Sequence, residues 1–202
     1  MVLMDGECRC IVCRGRGVDE RFTRFQLHMV KYVRRSGWGV NDVFGDDSAP
    51  GWAYTVGLWH TFRHPEVVIF GLNDDLRWSC LEGIGEQVRD GRGVADGESR
   101  EGMLKGVSVL IRAMHPSWRI SLFGTRGSVY SFYEGTPLPP FLQMVWPDTK
   151  GNLPWDDDVD PEMDEQQPFT WVPHDDHPRG VWTTAHPARR KRGWRFVNDP
   201  AE

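Results

Sequence analysis

The segment from Trp52 to Gly71 constrains the fold more than any other part of the chain. It contains two strand-like runs, Trp52 to Leu58 and Glu66 to Leu72, separated by a short loop that holds two histidines. The second run includes the continuous apolar stretch Val67 to Phe70, which is typical of a strand buried on both faces. These patterns predict two core strands joined by a polar loop.

A helix is predicted before these strands. From Glu20 to Ser36, apolar residues recur at intervals of three or four, which places them on one helical face. These residues are Phe22, Phe25, Met29 and Val33. Gly37 is the expected stop, because glycine is common just after a helix end.

A second helix is expected after Asn73, Asp74 and Asp75, which are good helix caps, and before Gly91. Further strands are predicted over residues 38–44, 107–114 and 141–146, whereas residues 118–133 remain ambiguous. The expected fold class is α+β. It has a single mixed or antiparallel sheet of about five strands, two or three helices and an irregular Trp-rich C-terminal part.

The length of 202 residues fits one domain with tails. We divide the chain into a Cys-rich lead-in (1–18), an α+β domain (19–170) and a C-terminal extension of uncertain order (171–202). The sequence has neither a signal-peptide pattern nor a spanning apolar run, so a cytoplasmic location is expected, without membrane association. The net charge of -5 argues against a nucleic-acid partner.

Three cysteines lie close together in the lead-in: Cys8, Cys10 and Cys13. Clustered thiols in a reducing compartment favour metal or redox chemistry over disulfides, and a fourth ligand would complete a structural zinc site. Cys80 fits that role poorly, because its helical spacing points it into the core, so a histidine or carboxylate is the alternative. Reactive thiols and a plain flexible lead-in are the other interpretations.

Histidines at strand ends form the second candidate site. His60 and His64 flank the loop after the first core strand, and His115 ends a later strand. Such groups could bind a metal, or His64 and His115 could act as catalytic bases with Glu66 orienting one of them. The alternative is that they are polar loop residues and caps.

Aromatic and hydroxyl groups suggest a ligand wall. Tyr54 and Thr55 point to opposite faces of their strand, so one of them could face a cleft. Trp146 and Asp148 precede a glycine-containing turn and could bind a planar or sugar-like ligand. A bulged core strand and a Trp-rich packing corner are the corresponding structural interpretations.

Several blocks of the sequence resemble one known family. They are Gly37 to Val40, Trp52 to Leu58, His64 to Glu66, Leu142 to Asp148, Gly151 to Trp155, and Gln167 with Pro168. Together they resemble the bacterial family of domains of unknown function numbered 4262, over roughly residues 8–170. Members often begin with a Cys-x-x-Cys element, which Cys10 to Cys13 matches. The resemblance implies no settled activity.

Two functional hypotheses follow. The first is a small-molecule-binding domain, with hydrolysis as one form of it, whose cleft combines the histidine and tryptophan sites described above. The second is a non-enzymatic module that binds another protein, such as an immunity-type partner, because no complete catalytic motif is present. The sequence alone does not decide whether the protein is an enzyme.

Overall fold

The computed structural model describes residues 8, 10–14, 22–124, 129–133 and 138–184, together with the backbone of residues 192–195. One open sheet forms the centre of the molecule, with the strand order β4-β5-β6-β3-β2-β1-β7. Its strands are β1 (Gly39–Val43), β2 (Trp52–Val56), β3 (Glu66–Phe70), β4 (Ser99–Leu104), β5 (Val107–Ala113), β6 (Phe141–Val145) and β7 (Arg192–Arg195).

The sheet is mixed, which is one of the two alternatives that the sequence predicted. β3 and β6 run parallel, whereas every other neighbouring pair is antiparallel. The expected count of about five strands was too low, because β4 and β7 carry few of the apolar residues that mark a core strand. β4 is largely exposed and its pairing with β5 is irregular, and β7 joins the edge of β1.

Helices pack on both faces of the sheet. They are α1 (Arg24–Ser36), α2 (Leu58–Phe62), α3 (Asp74–Arg89), α4 (Ser117–Phe123), α5 (Val129–Phe132) and α6 (Val181–Thr184). Short 3₁₀ turns lie at Pro161–Met163 and His174–Asp176. The described residues therefore contain more helices than the two or three expected, and the ambiguous segment 118–133 contributes α4 and α5.

Two predicted boundaries need correction. The Thr23 side chain and Gln26 form a reciprocal capping box, so α1 begins at Arg24 rather than at Glu20, which lies outside the described residues. Its end at Gly37, with φ of 92°, was predicted correctly. The first core strand ends at Val56, and Leu58 begins a helix where a loop was expected.

Each face of the sheet has its own apolar core. On one face α1, α4 and α5 pack over the sheet, and Met29, Trp118 and Phe132 are fully buried there. On the other face α3 covers the sheet through residues that include Ile84. β3 contributes Val68 and Phe70 to the first core and Val67 and Ile69 to the second, as its continuous apolar sequence predicted. Among the described residues, no helix is both long and apolar enough to cross a membrane.

Candidate metal centre

Four donor atoms from two distant parts of the chain meet beside α2. They are the Sγ atoms of Cys8, Cys10 and Cys13 and the Nδ1 atom of His60, and all four lie within 4.8 Å of one another. Nδ1 of His60 is 3.8 Å from Sγ of Cys8 and 3.2 Å from each of the other two sulfurs. Tetrahedral zinc with three sulfur ligands and one nitrogen ligand requires donor separations of about 3.5–3.8 Å. The cluster therefore has the donor types of a Cys₃His zinc site, and two of its nitrogen–sulfur separations, at 3.2 Å, are slightly shorter than a bound ion requires.

A tight turn presents the thiols. The amide of Arg14 donates to the carbonyl of Cys10 at 3.1 Å, and the amide of Cys13 donates to Sγ of Cys10 at 3.5 Å. Between these cysteines, Ile11 is fully buried in the core and its amide donates to the carbonyl of Phe132 at the end of α5. The cysteine segment is thus fixed to the domain by a buried side chain and by its backbone.

The three thiols perturb one another's ionisation. The hydrogen bond from the Cys10 thiol lowers the pKa of Cys8 to about 4, against burial, with a further contribution from His60. The hydrogen bond to Cys8 and burial raise the pKa of Cys10, and burial raises the pKa of Cys13, which the negative charge on Cys8 raises further. Three neighbouring thiolates repel one another, and a bound divalent metal removes that penalty.

The fourth donor is carried by α2, which begins immediately after Gly57. Gly57 has φ of 112°, and a Cβ atom at this position would lie 2.5 Å from Cγ2 of Val33 and 2.9 Å from the carbonyl oxygen of Gly37. Only glycine fits such a close approach to α1 in this backbone conformation. The hydroxyl of Thr61 donates to the same Gly37 carbonyl at 2.6 Å, so both ends of α2 are held against α1.

Glu66 lies under α2 and is completely buried. Its carboxylate accepts hydrogen bonds from the amides of Gly57 (2.8 Å), Leu58 (3.3 Å) and Trp59 (3.2 Å). It also accepts hydrogen bonds from the hydroxyls of Thr55 and Tyr133. Burial raises the pKa of the Glu66 carboxyl, and the hydrogen bonds from Thr55, Tyr133 and the backbone oppose that rise. The sequence suggested that Glu66 orients a histidine. In the structure its carboxylate instead binds the start of α2, Thr55 and Tyr133.

The other histidines of the sequence-based site lie in separate networks. Nδ1 of His64 is 2.7 Å from the carbonyl oxygen of Pro65, and its Nε2 accepts from the amide of Val94 at 3.0 Å. Nδ1 of His115 is 2.8 Å from the hydroxyl of Ser117. His64 therefore links β3 to the segment after α3, and His115 caps the start of α4. A catalytic role for either stays a prediction.

Tyr54 and Thr55 separate as the strand alternation requires. The Tyr54 ring packs edge-on against Phe123, with ring centres 4.9 Å apart, and is buried in the core. Thr55 is also fully buried, and its hydroxyl donates to Glu66 at 2.6 Å while accepting from the amide of Val67 at 2.9 Å. Thr55 thus belongs to the network beneath the metal centre.

Trp146 and Asp148 line a separate cleft of about 560 Å³. It lies beyond the carboxyl ends of the parallel strands β3 and β6, and it faces the β4–β5 turn. Residues that line it include Leu72, Lys105, Val107, Glu162, Met163 and Gln166. Trp146 donates its indole N–H to the carbonyl of Phe70 at 2.7 Å, so its ring is fixed as part of the wall.

Asp148 organises the loop that borders this cleft. Its carboxylate accepts from the amides of Lys150, Asn152 and Asp160 and from the side-chain amide of Asn152. Burial opposes ionisation, but these hydrogen bonds together outweigh it and lower the pKa of Asp148 to about 2. Both oxygens are engaged within the loop, so Asp148 shapes the cleft from behind.

The sequence analysis proposed Cys8, Cys10 and Cys13 as metal ligands. It gave His60 to ligand binding, with metal binding by the histidines as an alternative, and it did not include Tyr133. No local spacing could have identified either residue, because His60 is 47 residues from Cys13 and Tyr133 is 67 residues from Glu66. The usable signal was the unfilled fourth position of the thiol cluster, which allowed a histidine as the missing ligand.

The chain belongs to the family described as domain of unknown function DUF4262, whose model matches residues 32–160. The matched region includes His60, Glu66 and Tyr133, whereas the three thiol ligands precede it. No curated protein and no solved structure matches the chain.

Proposed function

We propose that this protein is a zinc-binding domain in which Cys8, Cys10, Cys13 and His60 together hold one Zn²⁺ ion. The convergence of three thiols and one imidazole within 4.8 Å carries the proposal. This donor set favours zinc because soft thiolates with imidazole in a tetrahedral arrangement are typical zinc ligands. Four protein ligands leave no open position for substrate, so the ion has a structural role. It joins the cysteine segment to the helix that follows β2.

Metal analysis of the purified, untagged full-length chain tests this proposal. We expect one zinc per chain, and loss of that zinc in the Cys8/Cys10/Cys13→Ser triple variant. His60→Ala should weaken zinc binding at least about tenfold in competition with a chromophoric chelator. The matched control is His64→Ala, which removes a histidine from the same connection but outside the cluster, and it should keep wild-type affinity. Zinc-free wild-type protein, or full affinity in His60→Ala, would contradict the proposal.

We propose as a second function that the cleft beside Trp146 binds a small molecule. Its volume of about 560 Å³ falls in the usual range for such sites, and ligands often bind beyond the carboxyl ends of parallel strands. The lining combines the apolar side chains of Leu72, Val107 and Met163 with Lys105 and three acidic residues, including Glu162. This surplus of negative charge favours a small organic cation with an apolar body.

The proposal for this cleft is binding alone. Glu66, His64 and His115 are engaged in separate hydrogen-bond networks, so they provide no assembled acid–base pair beside the cleft. A protein-binding, immunity-type role remains a prediction of the sequence.

Amide chemical shifts of the zinc-loaded protein test the cleft. Arylalkyl amines, which are protonated at neutral pH, are titrated beside alcohols of the same shape, and the amines should shift resonances of residues 104–107, 146–149 and 160–166. Glu162→Gln should weaken the amine response, whereas Glu98→Gln, placed outside the cleft, should leave it unchanged. Equal responses to amine and alcohol, or shifts spread over the whole molecule, would refute a cationic ligand here.

A further inference from the structure

Glu66 connects the two parts of the chain that supply the zinc ligands. The carboxylate is fully buried beneath the start of α2 and receives hydrogen bonds from both sides of the cluster. A buried carboxylate is costly unless its oxygens are paired, so this arrangement persists only while all the elements around it are in place.

The first connection runs from Glu66 to His60. The first amides of a helix have no partner within the helix. In α2 these are the amides of Gly57, Leu58 and Trp59, and all three donate to the Glu66 carboxylate. Because α2 has only five residues, its orientation depends on this cap and on the Thr61 contact with Gly37. The imidazole of His60 is therefore aimed at the sulfurs by a group one turn below it.

The second connection runs from Glu66 to the thiols. The hydroxyl of Tyr133 donates to Oε1 of Glu66, and Tyr133 directly follows α5. The carbonyl of Phe132, at the end of the same helix, accepts the amide of Ile11 at 3.0 Å. Ile11 lies between Cys10 and Cys13, so the position of α5 sets the position of the thiol turn.

We infer that Glu66, with Thr55 and Tyr133, is the positioning group of the zinc site, which it holds preassembled by fixing α2 and α5 relative to each other. This inference rests on the proposed zinc function. None of the three residues is a ligand. They act by setting the distance between His60 and the thiols, because displacement of α2 or α5 would move the imidazole away from the three sulfurs. Outer groups that orient metal ligands typically change metal affinity by about 10- to 100-fold.

Two buried threonines provide a matched test. Thr55 and Thr170 are both fully buried, and each hydroxyl donates at 2.6 Å to a buried side-chain oxygen, of Glu66 and of Gln143 respectively. Thr55→Val and Thr170→Val therefore each remove one donated hydrogen bond, but only the first touches the positioning group. Thr55→Val also removes the acceptor of the Val67 amide. Tyr133→Phe is the second test variant, because it deletes the other hydroxyl that reaches Glu66.

The measurements are zinc affinity by chelator competition and the visible absorption of the Co²⁺-substituted protein. The Co²⁺ bands report thiolate ligation and tetrahedral geometry, which a general loss of stability does not alter. We expect Thr55→Val and Tyr133→Phe to weaken zinc binding at least about tenfold and to change the Co²⁺ bands. Thr170→Val should keep both properties even where its melting temperature falls equally.

The outcomes separate this inference from the zinc proposal. Wild-type affinity and Co²⁺ bands in Thr55→Val and Tyr133→Phe would overturn the role of Glu66 and leave the zinc site intact. Equal losses in Thr55→Val and Thr170→Val would also overturn it, because the effect would then be general destabilisation. A wild-type chain that binds no zinc would remove both proposals together.

Discussion

Gly57 turns the chain from β2 into α2, the helix that carries His60. Its φ of 112° and its close approach to Val33 and Gly37 mean that any side chain at this position meets both backbone strain and a clash. Glycine near a strand end permits a close backbone approach, and here the neighbour is α1. A stability measurement can test how much of the site depends on this turn.

We predict that Gly57→Ala costs about 2–4 kcal/mol in the free energy of unfolding, from unfavourable backbone geometry together with overpacking. It should also weaken zinc binding, because α2 must move away from α1. Urea denaturation of the zinc-loaded protein measures the first effect, and chelator competition measures the second.

Gly91→Ala is the control for Gly57→Ala. Gly91 also has a positive φ, of 76°, but no atom lies within 4 Å of the position its Cβ would take. The Gly91→Ala variant should therefore lose only about 1–2 kcal/mol in the free energy of unfolding, from its unfavourable backbone conformation, and should keep full zinc affinity. Equal losses of stability in both variants would show that the contact with α1 contributes nothing.

At the scale of elements, periodicity predicted the parts of the chain that bury a regular apolar face. α3 begins at its Asn73 cap, as predicted, and β3 matches its continuous apolar run. α2 was not predicted because a five-residue helix is too short to show a period. What makes it a helix is the cap from Glu66, a residue that belongs to the next strand. β4 was missed because its exposed, irregular sequence lacks alternation.

α3 contains a carboxyl whose titration should be visible in the stability of the protein. Burial, with a smaller contribution from the nearby charge of Glu86, raises the pKa of Glu82 to about 7. A raised pKa means that folding favours the protonated form. The contribution of Glu82 is therefore fully present below its ordinary pKa, near 4.5, and is lost as pH rises through about 7.

We predict that Glu82→Gln abolishes this dependence, because the amide is neutral at every pH. The difference in unfolding free energy between Glu82→Gln and wild type should shift in favour of the variant as pH rises from about 4.5 to about 7, and should level off above about 7. Urea denaturation at several pH values measures it, and the difference cancels titration of the zinc ligands. A flat difference for Glu82→Gln across this pH range would contradict the prediction.

At the scale of the whole molecule, the sheet separates two cores, and the proposed zinc site borders one of them. Ile11 and Cys10 are completely buried in the core that α1, α4 and α5 share. The sequence predicted an α+β fold with one mixed or antiparallel sheet because strand and helix patterns are local. It could not predict that the cysteine segment enters this core, since that depends on residues from α2, β3 and α5 meeting in space.

Zinc removal should therefore expose a defined apolar surface. We predict that a chelator lowers the melting temperature of the wild-type protein by on the order of 10 °C, because zinc present at about 1,000 times its dissociation constant stabilises the folded state by about 4 kcal/mol. Without the ion, Ile11 has fewer contacts to hold it in the core, so binding of an apolar dye should increase at temperatures where the sheet is still folded.

The Cys8/Cys10/Cys13→Ser variant separates metal loss from chelator effects. It should melt at the same temperature as chelator-treated wild type. Further chelator should not change that temperature, because the three proposed zinc-binding thiols are absent. Hydrogen exchange locates the change. Amides of residues 10–14 and of α2 should lose protection on chelation, whereas those of α3, which lies across the sheet, should keep it. Loss of protection across both faces at once would mean that zinc holds the entire fold rather than the cysteine segment.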